Sequence, residues 1–186
     1  MLEEVKTTAE GGERAVSTQQ ACDCCGGREH LHKMLLLAIE KQPRASELHT
    51  KLLSLGGTSA LLNPAGSRIY KLDELLAVGQ EWDGKKCLLR RGNMSECHQN
   101  AGRYWAASMG DLKIATGYAL SNDGMWRAHS WNLRPDGYVL ESTVPRVKYY
   151  GIIPDELDSF TLFLSNVFPT KIREMAERME AGRSLT

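Results

Sequence analysis

The stretch WRAHSWNLRPDGYVLEST, residues 126–143, places strand-forming residues on both sides of the turn sequence RPDG. Pro135 fixes φ at the first corner of a type I turn, and Gly137 accepts the left-handed conformation that follows such a turn. The resulting three-residue loop pairs Arg134 with Tyr138. The stretch therefore predicts an antiparallel hairpin with a defined register.

This register decides which side chains meet across the hairpin. Counting outward from the turn places Glu141 opposite Trp131 and Thr143 opposite His129. Because side chains alternate between the faces of a strand, Arg127, His129, Trp131 and Glu141 share one face. Glu141 then lies diagonally beside His129, at a separation of ~7 to 8 Å that long side chains bridge.

A second turn is compatible with the same residues. Asp136 and Gly137 can form a two-residue type I′ loop, which shifts the register by one residue and moves Glu141 to the opposite face. The fixed φ of Pro135 favours the type I turn and the first register.

The hairpin belongs to a predicted three-stranded antiparallel sheet with helices before and after it. Strands are predicted at 113–120, 126–133 and 138–144, and helices at 28–42, 45–55, 72–78, 154–168 and 169–182. The fold class is therefore α+β. Residues 1–27 hold few large apolar side chains and are predicted to be a disordered tail, followed by a single domain at 28–186.

Composition excludes several classes of partner. The 186 residues contain 23 Lys plus Arg and 23 Asp plus Glu, so no net charge favours nucleic acid or an anionic membrane. No apolar run approaches the ~20 residues that cross a bilayer, and the first residues lack the pattern of a signal peptide. A soluble, cytoplasmic protein is expected, with no nucleic-acid partner, no membrane partner and reduced thiols.

A cluster of metal-ligand types lies near the N-terminus. Cys22, Cys24, Cys25 and His30 are zinc ligands by type, but they fall within a short segment beside the predicted tail. Structural zinc usually takes its ligands from two separated pairs, so no metal site is expected here.

Cys97 is the better placed thiol. Ser95 is a plausible N-cap, which puts Cys97 in the first turn of a helix, where the helix dipole favours a thiolate. The spacing of apolar residues after Cys97 indicates that its face packs inward. A nucleophilic thiol needs a base to remove its proton. His98 is expected to be a poor base for Cys97, because adjacent helical positions project about 100° apart. His129 is the better candidate, with Glu141 holding its tautomer.

Acyl chemistry at Cys97 also needs donors for an oxyanion. The backbone N–H of Cys97 supplies one, and Asn93 and Gln99 are candidates for the second. Of the two tryptophans that flank His129 on opposite faces, one is expected to seal the core, and Trp131 is the candidate to line the substrate cleft.

Residues 87–145 resemble the papain-like fold, and within it the transglutaminase-like branch. The matching segments are HSW at 129–131, EST at 141–143 and TGY at 116–118, with the cysteine on a preceding helix. Glu141 stands where the branch usually has aspartate. RRGNMSECHQN, residues 90–100, is similar to the R-G-G-x-C region of arylamine N-acetyltransferases, which share the fold and the triad.

The resemblance implies a catalytic triad of Cys97, His129 and Glu141. Such a triad catalyses acyl transfer or amide hydrolysis without a cofactor, on a protein, a peptide or a small amide. The enzyme would be a cysteine peptidase, an amidase or a deamidase, or an acyltransferase of the arylamine N-acetyltransferase kind. The alternative is an inactive papain-like module that binds a protein partner.

Overall fold

A computed structural model describes residues 27–62 and 68–183. Residues 1–26 of the predicted tail, with the cysteines at 22, 24 and 25, lie outside the described residues. The α+β class is confirmed. The helices are α1 Arg28–Lys41, α2 Ala45–Ser54, α3 Leu72–Val78, α4 Cys97–Ala107, α5 Glu156–Val167 and α6 Pro169–Arg183. The strands are β1 Ser59–Leu61, β2 Gln80–Asp83, β3 Cys87–Leu89, β4 Lys113–Leu120, β5 Met125–Leu133, β6 Val139–Glu141 and β7 Lys148–Ile152.

The described strands form one seven-stranded mixed sheet. Its order is β2-β7-β4-β5-β6-β3, with β1 also paired to β5. The prediction of β4, β5 and β6 as an antiparallel unit is confirmed. The prediction of only three strands is wrong, because the sheet also contains β1, β2, β3 and β7. These four strands were missed because they are short segments of three to five residues with no clear alternation. Two of them run parallel to their neighbours, β1 beside β5 and β3 beside β6.

The predicted hairpin register is confirmed. Leu133 pairs with Val139 and Asn132 with Leu140, and the Arg134 N–H donates to the Tyr138 carbonyl at 3.0 Å. Gly137 has φ +81°, the left-handed conformation that the type I turn requires next. The competing two-residue loop is therefore excluded.

Strand β5 pairs with three other strands. β4 lies along one edge, and on the other edge β1 pairs with Met125–Arg127 while β6 pairs with Asn132 and Leu133. His129 therefore lies between the two segments that are paired on this second edge.

Two cores cover opposite faces of the sheet, as the alternation of side chains requires. The first joins α1, α2 and α3 to one face and includes Leu48, Leu52, Leu72, Leu75, Tyr118, Trp126 and Tyr150. The second includes Ala115, Ala119, Trp131, Leu133, Val139 and Tyr149. His129 and Glu141 share the parity of this second set, so their face is the one that carries Trp131.

The C-terminal helices follow the prediction with one correction. α6 begins at Pro169, as expected for a proline in a first helical turn. α5 begins two residues after Pro154, because Asp155 is the N-cap and accepts a hydrogen bond from the Asp158 N–H. Within the described ranges no helix is long and apolar enough to cross a membrane.

Candidate active site

Helix α4 begins at Cys97, so the thiol lies in the first turn as predicted, but the cap differs from the prediction. Ser95 is not the N-cap: it has φ +62°, and Glu96 occupies the cap position without a side-chain hydrogen bond to the helix. The Glu96 carboxylate instead accepts hydrogen bonds from Asn93 and Arg103. Without a side-chain cap, the N–H groups of the first turn remain available to an anion beside Cys97.

The loop before Cys97 is attached to α4 by Asn100. The buried Asn100 amide accepts from the Asn93 N–H at 3.1 Å and donates to the Asn93 carbonyl at 2.7 Å. Gly92 makes this contact possible, since a Cβ there would lie 2.6 Å from Asn100 Cγ. Tyr104 adds a second attachment by donating to the Arg90 carbonyl at 3.2 Å. Both contacts fix the path of the chain that leads to Cys97.

His129 and Glu141 form a buried pair between β5 and β6. His129 Nε2 lies 2.8 Å from Glu141 Oε2, and the two residues are 2% and 0% exposed. Because Nε2 faces the carboxylate, Nδ1 is the nitrogen left for Cys97, which is the tautomer that a thiol base requires. The pairing that the hairpin register predicted is present in the structure.

Both carboxylate oxygens of Glu141 accept several hydrogen bonds. Oε1 accepts from the Ser142 N–H, the Thr143 N–H and the Thr143 hydroxyl at 2.8 to 2.9 Å. Oε2 accepts from the Tyr149 hydroxyl at 2.9 Å in addition to His129. A carboxylate with this many donors remains ionised and cannot rotate, so it fixes the orientation of the imidazole.

Hydrogen bonding with two histidines makes the Cys97 thiol acidic. Burial by itself raises its pKa, but side-chain hydrogen bonding with His129 and then His98 outweighs burial and brings the pKa to about 5. Burial lowers the pKa of His129, whereas its interactions with Cys97 and Glu141 raise the pKa to about 9. At neutral pH these directions correspond to a thiolate beside an imidazolium.

The carboxylate supports this charge distribution. Burial raises the pKa of Glu141, but the His129 hydrogen bond and charge and the Thr143 donors lower it to about 2. Burial and the Glu141 charge raise the pKa of Tyr149, so its phenol remains a protonated donor. Burial also raises the pKa of Cys87, whose Sγ lies 3.6 Å from the Tyr149 hydroxyl.

His98 also contacts Cys97, contrary to the expectation from helical projection. Its Nδ1 lies 2.7 Å from Ser130 Oγ, and Ser130 donates to Thr116 Oγ1 at 2.8 Å. A hydroxyl carries one hydrogen, so Ser130 accepts from His98. This bond holds the His98 ring beside the sheet, where it interacts with the sulfur and lowers the thiol pKa.

The other predicted site residues lie around this centre. Asn93 is exposed and its amide donates to Glu96 at 2.9 Å, so an oxyanion role would require that bond to break. Gln99 lies half-buried in the first turn of α4, and its donor role stays a prediction. Trp131 is fully buried, with its ring 6.2 Å from that of His129 and almost parallel to it. Trp131 therefore supports the imidazole rather than lining a solvent-filled cleft.

Sequence reasoning missed two residues that shape this site, Tyr149 and Asn100, and it missed the contact of His98 with Cys97. Tyr149 lies on β7, which the sequence did not predict, and no local pattern identifies its contact with Glu141. A signal existed for Asn100, since a polar residue on the buried face of a predicted helix needs a hydrogen-bond partner.

Most of the N-terminal cluster of zinc-ligand types, Cys22, Cys24, Cys25 and His30, lies outside the described residues. Of its four residues only His30 lies in the described part of the chain, exposed on α1. Among residues 27–62 and 68–183, no group of three or more His, Cys, Asp or Glu side chains could hold a metal ion.

Comparisons of the chain with protein-family models, with curated proteins and with solved structures find no significant match.

Proposed function

We propose that this protein is a thiol-dependent enzyme that cleaves or transfers an acyl group from an amide, with Cys97 as nucleophile, His129 as acid and base, and Glu141 as the orienting carboxylate. The observation that carries the proposal is the buried His129–Glu141 pair, whose free imidazole nitrogen serves a cysteine at an uncapped helix start. An ordinary polar pair across two strands would account for His129 and Glu141, but it would not account for a cysteine at the start of the preceding helix.

The proposed reaction starts from the charge-separated pair. The Cys97 thiolate attacks the amide carbonyl, forming a C–S bond while the carbonyl π electrons move to oxygen. The backbone N–H of Cys97 and the open first turn of α4 stabilise this oxyanion. His129 then gives its proton to the amide nitrogen, the C–N bond breaks, and the amine leaves an acyl-enzyme.

Release of the acyl group uses the same residues in reverse. Neutral His129 removes a proton from water or from an acceptor amine, which attacks the thioester carbonyl. Collapse of the second tetrahedral intermediate expels the Cys97 thiolate and yields an acid or a new amide. Glu141 keeps the imidazole in the required tautomer throughout and stabilises its protonated form.

The finer fold assignment is also a proposal. A cysteine at a helix start, then a histidine on a strand and then an acid on the following strand is the order found in the papain-like fold. The HSW and EST segments lie on and beside β5 and β6, as the resemblance to the transglutaminase-like branch implies. We propose that the domain belongs to that branch and acts on a peptide, a protein or a small amide.

The test is the reactivity of the thiol in the full chain. Iodoacetamide should alkylate Cys97 at pH 6 at least about tenfold faster than Cys87, because Cys97 is ionised there and Cys87 is not. Peptide mass spectrometry follows each cysteine separately. His129→Ala should slow alkylation of Cys97, whereas His49→Ala, on α2, should not. Equal rates at the two cysteines in the unmodified protein would remove the case for an activated nucleophile and favour an inactive binding module.

A further inference from the structure

A cavity of about 240 Å³ lies beside His98, between the sheet and the N-terminal helices. Its wall is formed mainly by apolar side chains of strands, loops and helix α3: Leu62, Ile69, Leu75, Tyr118, Ala128 and Ile152. The volume is below the ~300 Å³ at which pockets begin to hold a whole drug-sized ligand. It suits a single side chain.

The cavity is next to the candidate nucleophile. His98 contributes to its wall and follows Cys97 directly in the first turn of α4. The His98–Ser130–Thr116 hydrogen bonds hold this wall in place, since Thr116 also lines the cavity. A group that fills the cavity therefore lies against His98, one residue along the chain from Cys97.

The polar atoms around the cavity are already paired with one another. His98 Nδ1 and the hydroxyls of Ser130 and Thr116 form one chain, and the Tyr118 hydroxyl donates to the Leu62 carbonyl at 2.7 Å. A charged or strongly polar group would lose its hydration here and find these partners occupied. The exceptions are Arg68 and the Tyr70 hydroxyl, and both residues are exposed.

We infer that this cavity binds an uncharged aromatic or branched aliphatic side chain of the acyl group that Cys97 attacks. The inference rests on the proposed function and adds to it a substrate class, namely peptides or small amides with a residue of the Phe or Leu kind at the carbonyl to be cleaved. Burial of apolar atoms in the cavity supplies the preference, and residues with short or acidic side chains are poor substrates.

The experiment uses three reagents that differ only in this side chain: N-acetyl-phenylalanyl, N-acetyl-glycyl and N-acetyl-aspartyl chloromethyl ketones. In each, the Cys97 thiolate displaces chloride and forms a C–S bond, so the product carries the same link. The rate of labelling of Cys97 is divided by its rate with iodoacetamide, which is too small to need the cavity. We expect the phenylalanyl reagent to react at least about tenfold faster than the other two.

A pair of variants on β5 localises the effect. Ala128→Ile fills the cavity from its wall and should remove the preference for the phenylalanyl reagent when each rate is divided by the iodoacetamide rate of the same variant. Met125→Ile adds the same β-branched side chain to the same strand outside the cavity and should keep the preference.

The outcomes separate the two proposals. Similar rates for the phenylalanyl and glycyl reagents, or a preference that survives Ala128→Ile, would overturn the assignment of the cavity. A faster aspartyl reagent would overturn it in favour of anion binding at Arg68. Failure of iodoacetamide to favour Cys97 would instead reject the proposed function itself.

Discussion

Tyr149 donates its hydroxyl to Glu141 Oε2, the same oxygen that accepts from His129, so one carboxylate oxygen joins β5, β6 and β7. The other oxygen receives only donors from the chain immediately after Glu141. The carboxylate is thereby fixed by local contacts on one side and by distant strands on the other. Its effect on Cys97 is exerted through His129.

Glu141→Gln should make the Cys97 thiol less acidic. The amide keeps the size of the side chain but removes the charge that supports the His129 imidazolium, so the thiol pKa should rise from about 5 by at least about one unit. Alkylation by iodoacetamide at pH 5.5 should then fall several-fold, as its pH profile would show. Asp136→Asn, in the exposed hairpin turn, is the matched control. An unchanged profile for Glu141→Gln would show that the carboxylate does not act on the thiol.

The same carboxylate predicts a loss of stability in acid. Its pKa is lowered from 4.5 to about 2 in the folded protein, so its contribution is present above about pH 4.5 and is lost as the pH falls through about 2. Urea unfolding at pH 6 and at pH 3 should show this decrease in the unmodified protein. The free energy of unfolding of Glu141→Gln should be lower than that of the unmodified protein by about 3 kcal/mol at pH 6. It should also decrease less than that of the unmodified protein between pH 6 and pH 3. Equal losses in both proteins would contradict the prediction.

Tyr149→Phe tests the long-range support of the carboxylate. The change removes the buried hydrogen bond to Glu141 and the contact with Cys87 Sγ, and it should lower the free energy of unfolding by about 1 to 2 kcal/mol. If Tyr149 positions Glu141, the pH profile of Cys97 alkylation should also shift, which a purely structural role would not produce. Tyr138→Phe, at a residue 40% exposed in the hairpin turn, should change neither quantity.

The local features of this site could be predicted from the sequence, because a turn fixes its own register. Pro135 and Gly137 determine the pairing of β5 with β6, and that pairing alone puts Glu141 beside His129. Likewise Cys97 lies at a helix start even though the cap is Glu96 rather than Ser95. In each case the relevant residues are at most twelve positions apart in the sequence.

The remaining features depend on contacts that no local pattern encodes. Strand β7 has five residues and enters the sheet beside β4, which brings Tyr149 to Glu141. His98 was judged by the geometry of an isolated helix, whereas its ring is held by Ser130 on a strand far along the chain. Apolar patterning in a short segment cannot specify such partners.

His98→Gln should raise the pKa of the Cys97 thiol by a smaller amount than loss of His129. Both imidazoles lower this pKa, and the effect of His129 is the larger. Alkylation of Cys97 at pH 5.5 should therefore slow less in His98→Gln than in His129→Ala. The pH profile of alkylation in His98→Gln should keep its shape above pH 7. Ser130→Ala, which removes the hydroxyl that holds the His98 ring, should have an effect of the same sign. A larger loss in His98→Gln than in His129→Ala would reverse the assignment of the base.

Asn100→Ala should release the loop that precedes Cys97. The change removes both hydrogen bonds to the Asn93 backbone and leaves an empty space against Gly92, so the free energy of unfolding should fall by about 2 kcal/mol. Asn166→Ala on α5 is the matched control, because that amide makes one hydrogen bond within its own helix and should cost less. Hydrogen exchange should show faster exchange at residues 92–96 in Asn100→Ala alone, since only this variant detaches the loop from α4. Unchanged protection there would mean that Tyr104 and the β3 pairing suffice to hold the approach to the thiol.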